Sequence, residues 1–396
     1  MANVLNQVIA VTAMNVRSIP ARLGTSMVIV IGIAGVVGVM VALLSMGAGF
    51  AATLGGTGTA ERAIVLRGGS NDELGSVITR EQAPIISDAP GVARGADGRP
   101  MALAEVYLLT DVAKPGSTAP NNVVVRGTHA DQAGVRPEFR IVEGRMLVPG
   151  TRDVIVGKAV AAQFENLKVG GTVDVRDGPW TIVGLFETGG DVHESELWVD
   201  AESLMNISRR QAYNSVTVKL EGTDAFQGFK DALTSDPRMV VSAQREPDYY
   251  ASRSEQLHML INVLGYTVAV IMGIGAVFGA LNVMYAAVAT RTVEIATLRA
   301  IGFGGLPVVI SVLIESLLLA LAGGVIGAGG AYLFFNGFTV NTLNFQTFSQ
   351  VAFDFRVTPA LMQQGLTWAL VMGFLGGLFP AVRAARLPII DALRAQ

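Results

Sequence analysis

Arg291-Thr-Val-Glu294-Ile-Ala-Thr-Leu298-Arg299-Ala-Ile-Gly302-Phe303 lies between two long apolar stretches. No Asp, Glu, Lys or Arg occurs from Gln256 to Thr290, and from Gly302 to Ala352 the only charge is Glu315. A bilayer core of about 30 Å needs about 20 apolar helical residues. A short charged segment of helical pattern placed here therefore joins two membrane spans. Two more charge gaps, Leu23–Ala60 and Val357–Val382, meet the same criterion. The fold expected is a membrane protein of four transmembrane helices: 25–50, 259–289, 308–335 and 361–382. A large α+β domain, 51–258, lies between the first two.

Composition agrees. The chain has 396 residues, of which 51% are apolar and 15% charged, with a mean hydropathy of +0.48. That is too apolar for an ordinary soluble domain and too polar for an all-membrane bundle. A net charge of −3 leaves no basic footprint for nucleic acid, and the absence of Cys excludes disulfide and thiolate chemistry.

Arginine placement sets the expected orientation. Arg17 and Arg22 precede the first span, Arg291 and Arg299 lie between the second and third, and Arg383, Arg386 and Arg394 follow the fourth. All share one side if both termini are cytoplasmic. Arg17, Arg22, Arg383 and Arg386 read as anchors at the membrane surface. Residues 1–24 are mildly amphipathic and are expected along the cytoplasmic face of the membrane. The first apolar run is too long for a signal-peptide core and is expected to remain as an anchor. The external loop 336–360 and the cytoplasmic tail 383–396 complete the layout.

Within 51–258, β-rich runs stand out at Ala63–Arg67, Val123–Arg126, Asp153–Val156, Val173–Arg176, Thr181–Phe186, Glu196–Val199 and Ser215–Leu220. Helical runs occupy Lys158–Glu165 and Asp224–Thr234, and Thr79-Arg-Glu-Gln82 has capping-box spacing. Ser215–Leu220, the following helix and Met239–Ser242 read as a βαβ unit. Asp248–Met259 runs without a breaker into the second span, as a stalk would.

Small residues inside the spans read as packing devices, within the chain or between subunits. They are Gly32 and Gly35 in the first span, Gly275 and Gly279 in the second, and Gly373 and Gly377 in the fourth. Glu315 is the one acid inside a span; it pairs with a nearby Arg or stays protonated.

Catalytic and nucleotide chemistry are not expected. HExxH, GxSxG and Cys-based sites are absent. Asp191-Val-His193-Glu194-Ser-Glu196 reads as a solvated loop rather than a metal cluster. Gly150–Ala159 mimics a Walker A, but six residues separate Gly150 from Gly157, and Ala159 stands where a Ser or Thr would hold Mg²⁺. If ATP powers this protein, a separate subunit binds it.

From its chemistry alone, Arg291–Gly302 is either a positively charged loop or a docking helix. Glu294 follows Arg291 by three residues, so the two can pair on one face. Val293, Ile295, Leu298 and Ile301 supply apolar anchors for a groove.

At these residues the chain resembles the FtsX-like ABC permeases. Arg291, Glu294, Ile295, Leu298, Arg299, Ala300 and Gly302 match that family's R-x-x-E-I-x-x-L-R-A-x-G segment. Pro380, Ala381, Arg383, Ala384, Ala385, Ala392, Leu393 and Arg394 match its C-terminal pattern, with the spacing before Pro388 one residue shorter. Asp88-Ala-Pro-Gly-Val92 and Gly170-Gly-Thr-Val-Asp-Val resemble the MacB-type periplasmic domain. The resemblance implies a bacterial inner-membrane permease that dimerises with a second copy or a paralogue. It further implies cytoplasmic ABC ATPase subunits that hold ATP and Mg²⁺ and contact the segment through Arg291, Glu294, Ile295, Leu298, Arg299 and Gly302. It also implies contact with membrane lipids, and with a periplasmic adaptor or membrane fusion protein in some members. Movement of an amphipathic or hydrophobic cargo (lipid, lipoprotein, peptide or drug) is the function implied first. The alternative is a transmembrane transducer that activates a periplasmic hydrolase. No cofactor, metal site or catalysis is expected in this chain.

Overall fold

The computed structural model describes residues 2–112, 121–164, 167–176, 178–343 and 350–389. Ala392, Leu393 and Arg394 of the C-terminal motif lie outside the described residues.

The chain opens with α1 (Ala2–Ser18), a 3-10 turn and α2 (Leu23–Gly55). There follow β1 (Arg62–Arg67), β2 (Ile78–Thr79), α3 (Gln82–Ser87), β3 (Ala102–Asp111), β4 (Asn122–Thr128), β5 (Arg140–Gly144), β6 (Asp153–Gly157) and α4 (Lys158–Gln163). Next come β7 (Thr172–Asp174), β8 (Pro179–Glu187), a 3-10 turn at Val192–Ser195, β9 (Glu196–Asp200), α5 (Ala201–Ser208), β10 (Ala212–Tyr213), β11 (Ser215–Lys219), α6 (Ala225–Ser235) and β12 (Val241–Arg245). The last part is α7 (Glu246–Thr290), α8 (Thr292–Ala300), α9 (Gly305–Phe335), β13 (Thr339–Leu343), β14 (Gln350–Asp354) and α10 (Pro359–Arg386).

Two compact units result: Met1–Gly49, Met259–Phe338 and Phe355–Gln396 form a helical unit, and Phe50–His258 with Thr339–Asp354 form a sheet unit. Among the described residues four helices are long and apolar enough to cross a membrane: α2, α7, α9 and α10.

In the helical unit α9 packs against α2 and α10. Its core joins Ile33, Val37 and Met40 of α2 to Val312 and Leu319 of α9 and to Ala369 and Met372 of α10. Small residues permit this, because between lipid-soluble helices close backbone approach replaces the hydrophobic drive. Gly327 lies on the backbone of Ala34, and Gly373 on Ala320 and Ser316, so neither has room for a Cβ. Ser316 Oγ donates to Gly373 O at 2.6 Å. Gly377 also packs on Ser316.

The other four glycines do not pack within the chain. A Cβ at Gly32, Gly35, Gly275 or Gly279 would meet nothing within 4 Å. Steps of three residues drift by about 60° on a helix of 3.6 residues per turn, so of the glycines at 32, 35 and 38 only Gly38 faces Gly327. Gly275 and Gly279 lie off the face that buries Ala269, Ala280 and Met284. Pro380 lies inside α10, which continues through it to Arg386.

The sheet unit is built on ten strands in the order β12-β1-β11-β3-β4-β9-β6-β8-β5, with β7 on β8. The expected βαβ unit forms, but β1 lies between its two strands and is antiparallel to both. Thr79 and Gln82 make the reciprocal bonds of a capping box, at 3.1 and 3.2 Å. One apolar core gathers Val106, Val125, Val156, Phe164, Trp180 and Leu204, and a second gathers Val65, Ile86, Val218 and Phe229. Each such side chain contributes about 1.5–3 kcal/mol relative to exposure.

Alternation along a strand sends the intervening residues to the opposite face, and in mid-sheet that face is charged and buried. Glu105, Arg126 and Glu196, on β3, β4 and β9, are each 3% exposed or less. Arg126 donates to Glu73, Glu105 and Glu196 at 2.7–3.1 Å, and Arg136 donates to both oxygens of Glu105. Burial alone would raise the Glu73 and Glu105 carboxyls, but the adjacent guanidiniums outweigh it and hold both below their usual range.

The first turns of α7 join this network. Glu246 pairs with Arg62, the Tyr249 hydroxyl accepts from Glu73 N at 3.2 Å, and Tyr250 Oη lies 3.2 Å from His193 Nε2. The His193 Nδ1 is 3.0 Å from Asp191 Oδ2. The segment Asp191–Glu196, expected as a solvated loop, is therefore buried. Its polar groups serve one another: Asp191 caps the 3-10 turn, and Glu194 accepts from Thr188 N and Gly190 N. Among the described residues no acidic or His cluster has metal-binding geometry.

The expected external loop 336–360 is more than a loop. β13 and β14 pair as a hairpin that belongs to the sheet unit. Ala352 N donates to Ser195 Oγ at 3.0 Å, and Phe353 meets Phe50 edge to face.

Candidate coupling site

One residue, Arg291, separates α7 from α8. Its carbonyl accepts from Ile295 N at 2.9 Å, so it caps α8 while ending α7. At the far end Phe303 N donates to Leu298 O and Gly302 N to Arg299 O, the paired closure of a Schellman turn. That turn needs a left-handed residue, and Gly302 supplies it at φ +103.

The Arg291 side chain turns inward. Its Nη1 donates to Glu315 Oε2 of α9 at 3.1 Å, and its Nη2 donates to Ser18 Oγ. Arg22 reaches the same carboxylate at 3.4 Å and Ser18 Oγ at 2.9 Å. Glu315 thus holds two guanidiniums, which settles how a buried carboxylate is satisfied here. Three chain segments meet at it: the 3-10 turn after α1, the start of α8, and α9. Asn15 donates to Ser311 Oγ and fixes α1 on α9 one turn away.

Several expected roles change accordingly. Arg291 pairs with Glu315 rather than Glu294, because its side chain points into the bundle. Arg22 is a partner in that pair rather than a free surface anchor. Ile295 is buried with Ala296 and joins the bundle core. Arg299 is half-buried and donates to Leu387 O at 2.7 Å, tying α8 to the chain after α10. Leu298 is half-buried, and Glu294 is exposed. Arg17, Arg383 and Arg386 are exposed, and Arg383 stands over the Tyr285 ring at 5.5 Å.

The outward face of α8 therefore consists of Val293, Glu294, Thr297, Ala300 and Ile301. Ile301 is 69% exposed and Leu306, just beyond, 61%. Val293 and Ile301 belonged to the expected apolar anchors; Thr297 did not, and only its spacing of four from Val293 marked it. The inward face holds the helix in place, and the outward face leaves apolar side chains around one carboxylate.

Residues 25–236 match the family described as the MacB-like periplasmic core domain, and residues 266–389 match the FtsX-like permease C-terminal family. The chain belongs to the FtsX/MacB-like ABC permeases. The macrolide export ATP-binding/permease protein MacB of Neisseria meningitidis serogroup A is 24% identical over 71% of this chain and 46% of its own length. The lipoprotein-releasing system transmembrane protein LolC of Xylella fastidiosa is 26% identical over 63% of this chain and 66% of its own. An ABC transporter permease of Bacillus subtilis, YvrN, is 22% identical over 96% and 95%. The chain thus spans less than half the length of the MacB relative. In this FtsX/MacB-like permease, α8 lies wholly within the FtsX-like match, and the buried charge network mostly within the MacB-like one.

Proposed function

We propose that this chain is the membrane subunit of an ABC transporter whose ATPase is a separate chain docking on α8. The observation that carries the reading is the pinned helix with an exposed apolar face, placed between two candidate spans. A partner that pushed on α8 would push on Arg291, and through Glu315 on α9. A loose loop would absorb the same motion. ATP and Mg²⁺ would reside in that partner, and this chain would be non-catalytic. Arginine placement supports cytoplasmic termini in a bacterial inner membrane, with the sheet unit outside. The cargo class is amphipathic or hydrophobic, in keeping with the macrolide export and lipoprotein release for which the MacB and LolC relatives are named. A second permease copy and an external adaptor complete the assembly we envisage.

The test is reconstitution of the full chain in lipid with a candidate ABC ATPase. A stable complex, and ATP hydrolysis that changes with the permease present, are expected. A permease that forms no complex with any ABC ATPase under these conditions would sink the reading.

A further inference from the structure

The sheet unit contains a small cavity of about 30 Å³, walled by Tyr249 and Arg253 of α7, Tyr107 of β3, Arg126 of β4, Glu196 of β9 and Gln350 of β14. Four arginines of this unit are buried: Arg62, Arg126, Arg136 and Arg253. The first three each hold at least one carboxylate. Arg253 is 7% exposed, and its Nη1 has no hydrogen-bond partner among the described residues. Its guanidinium lies over the Tyr249 ring, 4.2 Å from the centroid. A ring face offsets only part of the cost of burying a cation.

The wall carboxylates do not supply what is missing. Glu73 accepts from Arg126 and Ser215 Oγ, and Glu196 from Arg126 and Trp198 Nε1. Arg126 donates to both acids of the wall, whereas among the described residues Arg253 donates to neither. Burial keeps the Tyr249 phenol protonated by pushing its ionisation well upward, so the wall also carries a neutral hydroxyl.

We infer that this cavity is a binding site for a carboxylate group, received by the free edge of the Arg253 guanidinium. A carboxylate matches the planar fork of Arg, and the cavity has room for about that group alone. The donor is either a small free carboxylate or the end of an apolar chain whose body stays outside.

The full chain in lipid nanodiscs, titrated with acetate, octanoate or chloride at constant ionic strength, tests this by thermal unfolding and by tryptophan fluorescence. Saturable stabilisation by acetate is expected, with chloride inert. Octanoate binding more tightly than acetate identifies a chain-end carboxylate, and equal binding identifies a free one. R253M should weaken binding by at least about tenfold, as loss of a charge-assisted bond implies. Y249F removes a wall hydroxyl without touching the charge, and it should weaken binding by a smaller factor; it carries the test if R253M does not fold. Equal stabilisation by chloride, no saturation, or unchanged affinity in both variants overturns the inference.

Discussion

Arg291 and Glu315, 24 residues apart in sequence, form an ion pair at 3.1 Å that binds the start of α8 to α9. Both side chains are nearly buried, at 10% and 5% exposure, whereas Arg22 on the same carboxylate keeps 20%. Removing one member of a buried pair strands the other charge, at about 3–5 kcal/mol. E315Q strands two guanidiniums and should destabilise the helical unit by about that amount. R22Q should cost about 1 kcal/mol or less, as for a longer and wetter pair. Thermal unfolding in one detergent ranks the two; equal losses would refute the hierarchy.

The two faces of α8 should separate under mutation. I301D and V293D place a charge on the exposed face, so the chain should insert and unfold normally while ATPase affinity falls by about tenfold or more. E294A and L298A should leave hydrolysis running but uncoupled from cargo movement. I295D, by contrast, buries a charge in the bundle core and should abolish accumulation of the folded chain. Co-purification beside thermal stability distinguishes the cases. An I295D chain as stable as wild type would contradict the inward assignment.

Glycines that look alike in sequence should tolerate substitution differently. G373L and G327L force α9 away from its neighbours and should cost several kcal/mol, in the manner of overpacking. G275L and G279L meet open space within the chain, and should leave the monomer's unfolding unchanged. If G275L or G279L changes only the oligomeric mass, that face lies between subunits.

Acidity should act on the hold between His193 and the start of α7. Burial would lower the His193 ionisation, but Asp191 outweighs it, and the folded value is raised above 6.5. Burial would raise Asp191, but His193 and its hydrogen bonds hold it below 3.8. The other groups around His193 are Arg136, Glu196 and Glu105, with Tyr250 and Trp198. The His193 contribution is complete below about pH 6.5 and is lost as pH rises through its raised folded value. The Asp191 contribution is complete above about pH 3.8 and is lost as pH falls through its lowered one. Amide protection factors at Tyr249 and Tyr250, the intrinsic exchange rate at each pH over the observed one, should therefore be highest between those limits, and H193Q should flatten the alkaline side. An H193Q profile that retains the alkaline loss would remove His193 as its source.

The four spans and the docking segment were legible because charge gaps and a charged island are local signals. So were strands rich in Val and Ile, such as β4 and β6. β3 was not, since Ala-Leu-Ala-Glu at its start favours helix as readily as strand. The hairpin β13–β14 escaped because its segment is short and nearly uncharged, and its partners Ser195 and Phe50 are remote in sequence. The largest gap was the charge network. Glu105, Arg126 and Glu196 alternate with apolar residues, a pattern that ordinarily means one face in water. Only three-dimensional proximity reveals that Tyr249 and the turn at Asp191 join them. Glu315 was visible as an anomaly, but its partner Arg22, 293 residues earlier, was not.

The shared carboxylate of Glu105 constrains how this protein can change over generations. Arg136 pairs with it and Arg126 shares it with Glu73 and Glu196, so losing Glu105 alone strands one cation and weakens the hold on another. Losing either arginine alone leaves acids unbalanced beneath the sheet. An apolar set of similar volume can replace such a cluster at little cost when all members change together. The intermediate sequences are the barrier, not the destination. The network is thus a historical lock: a lineage that has acquired it can leave only by several substitutions at once, or by first stabilising the fold elsewhere.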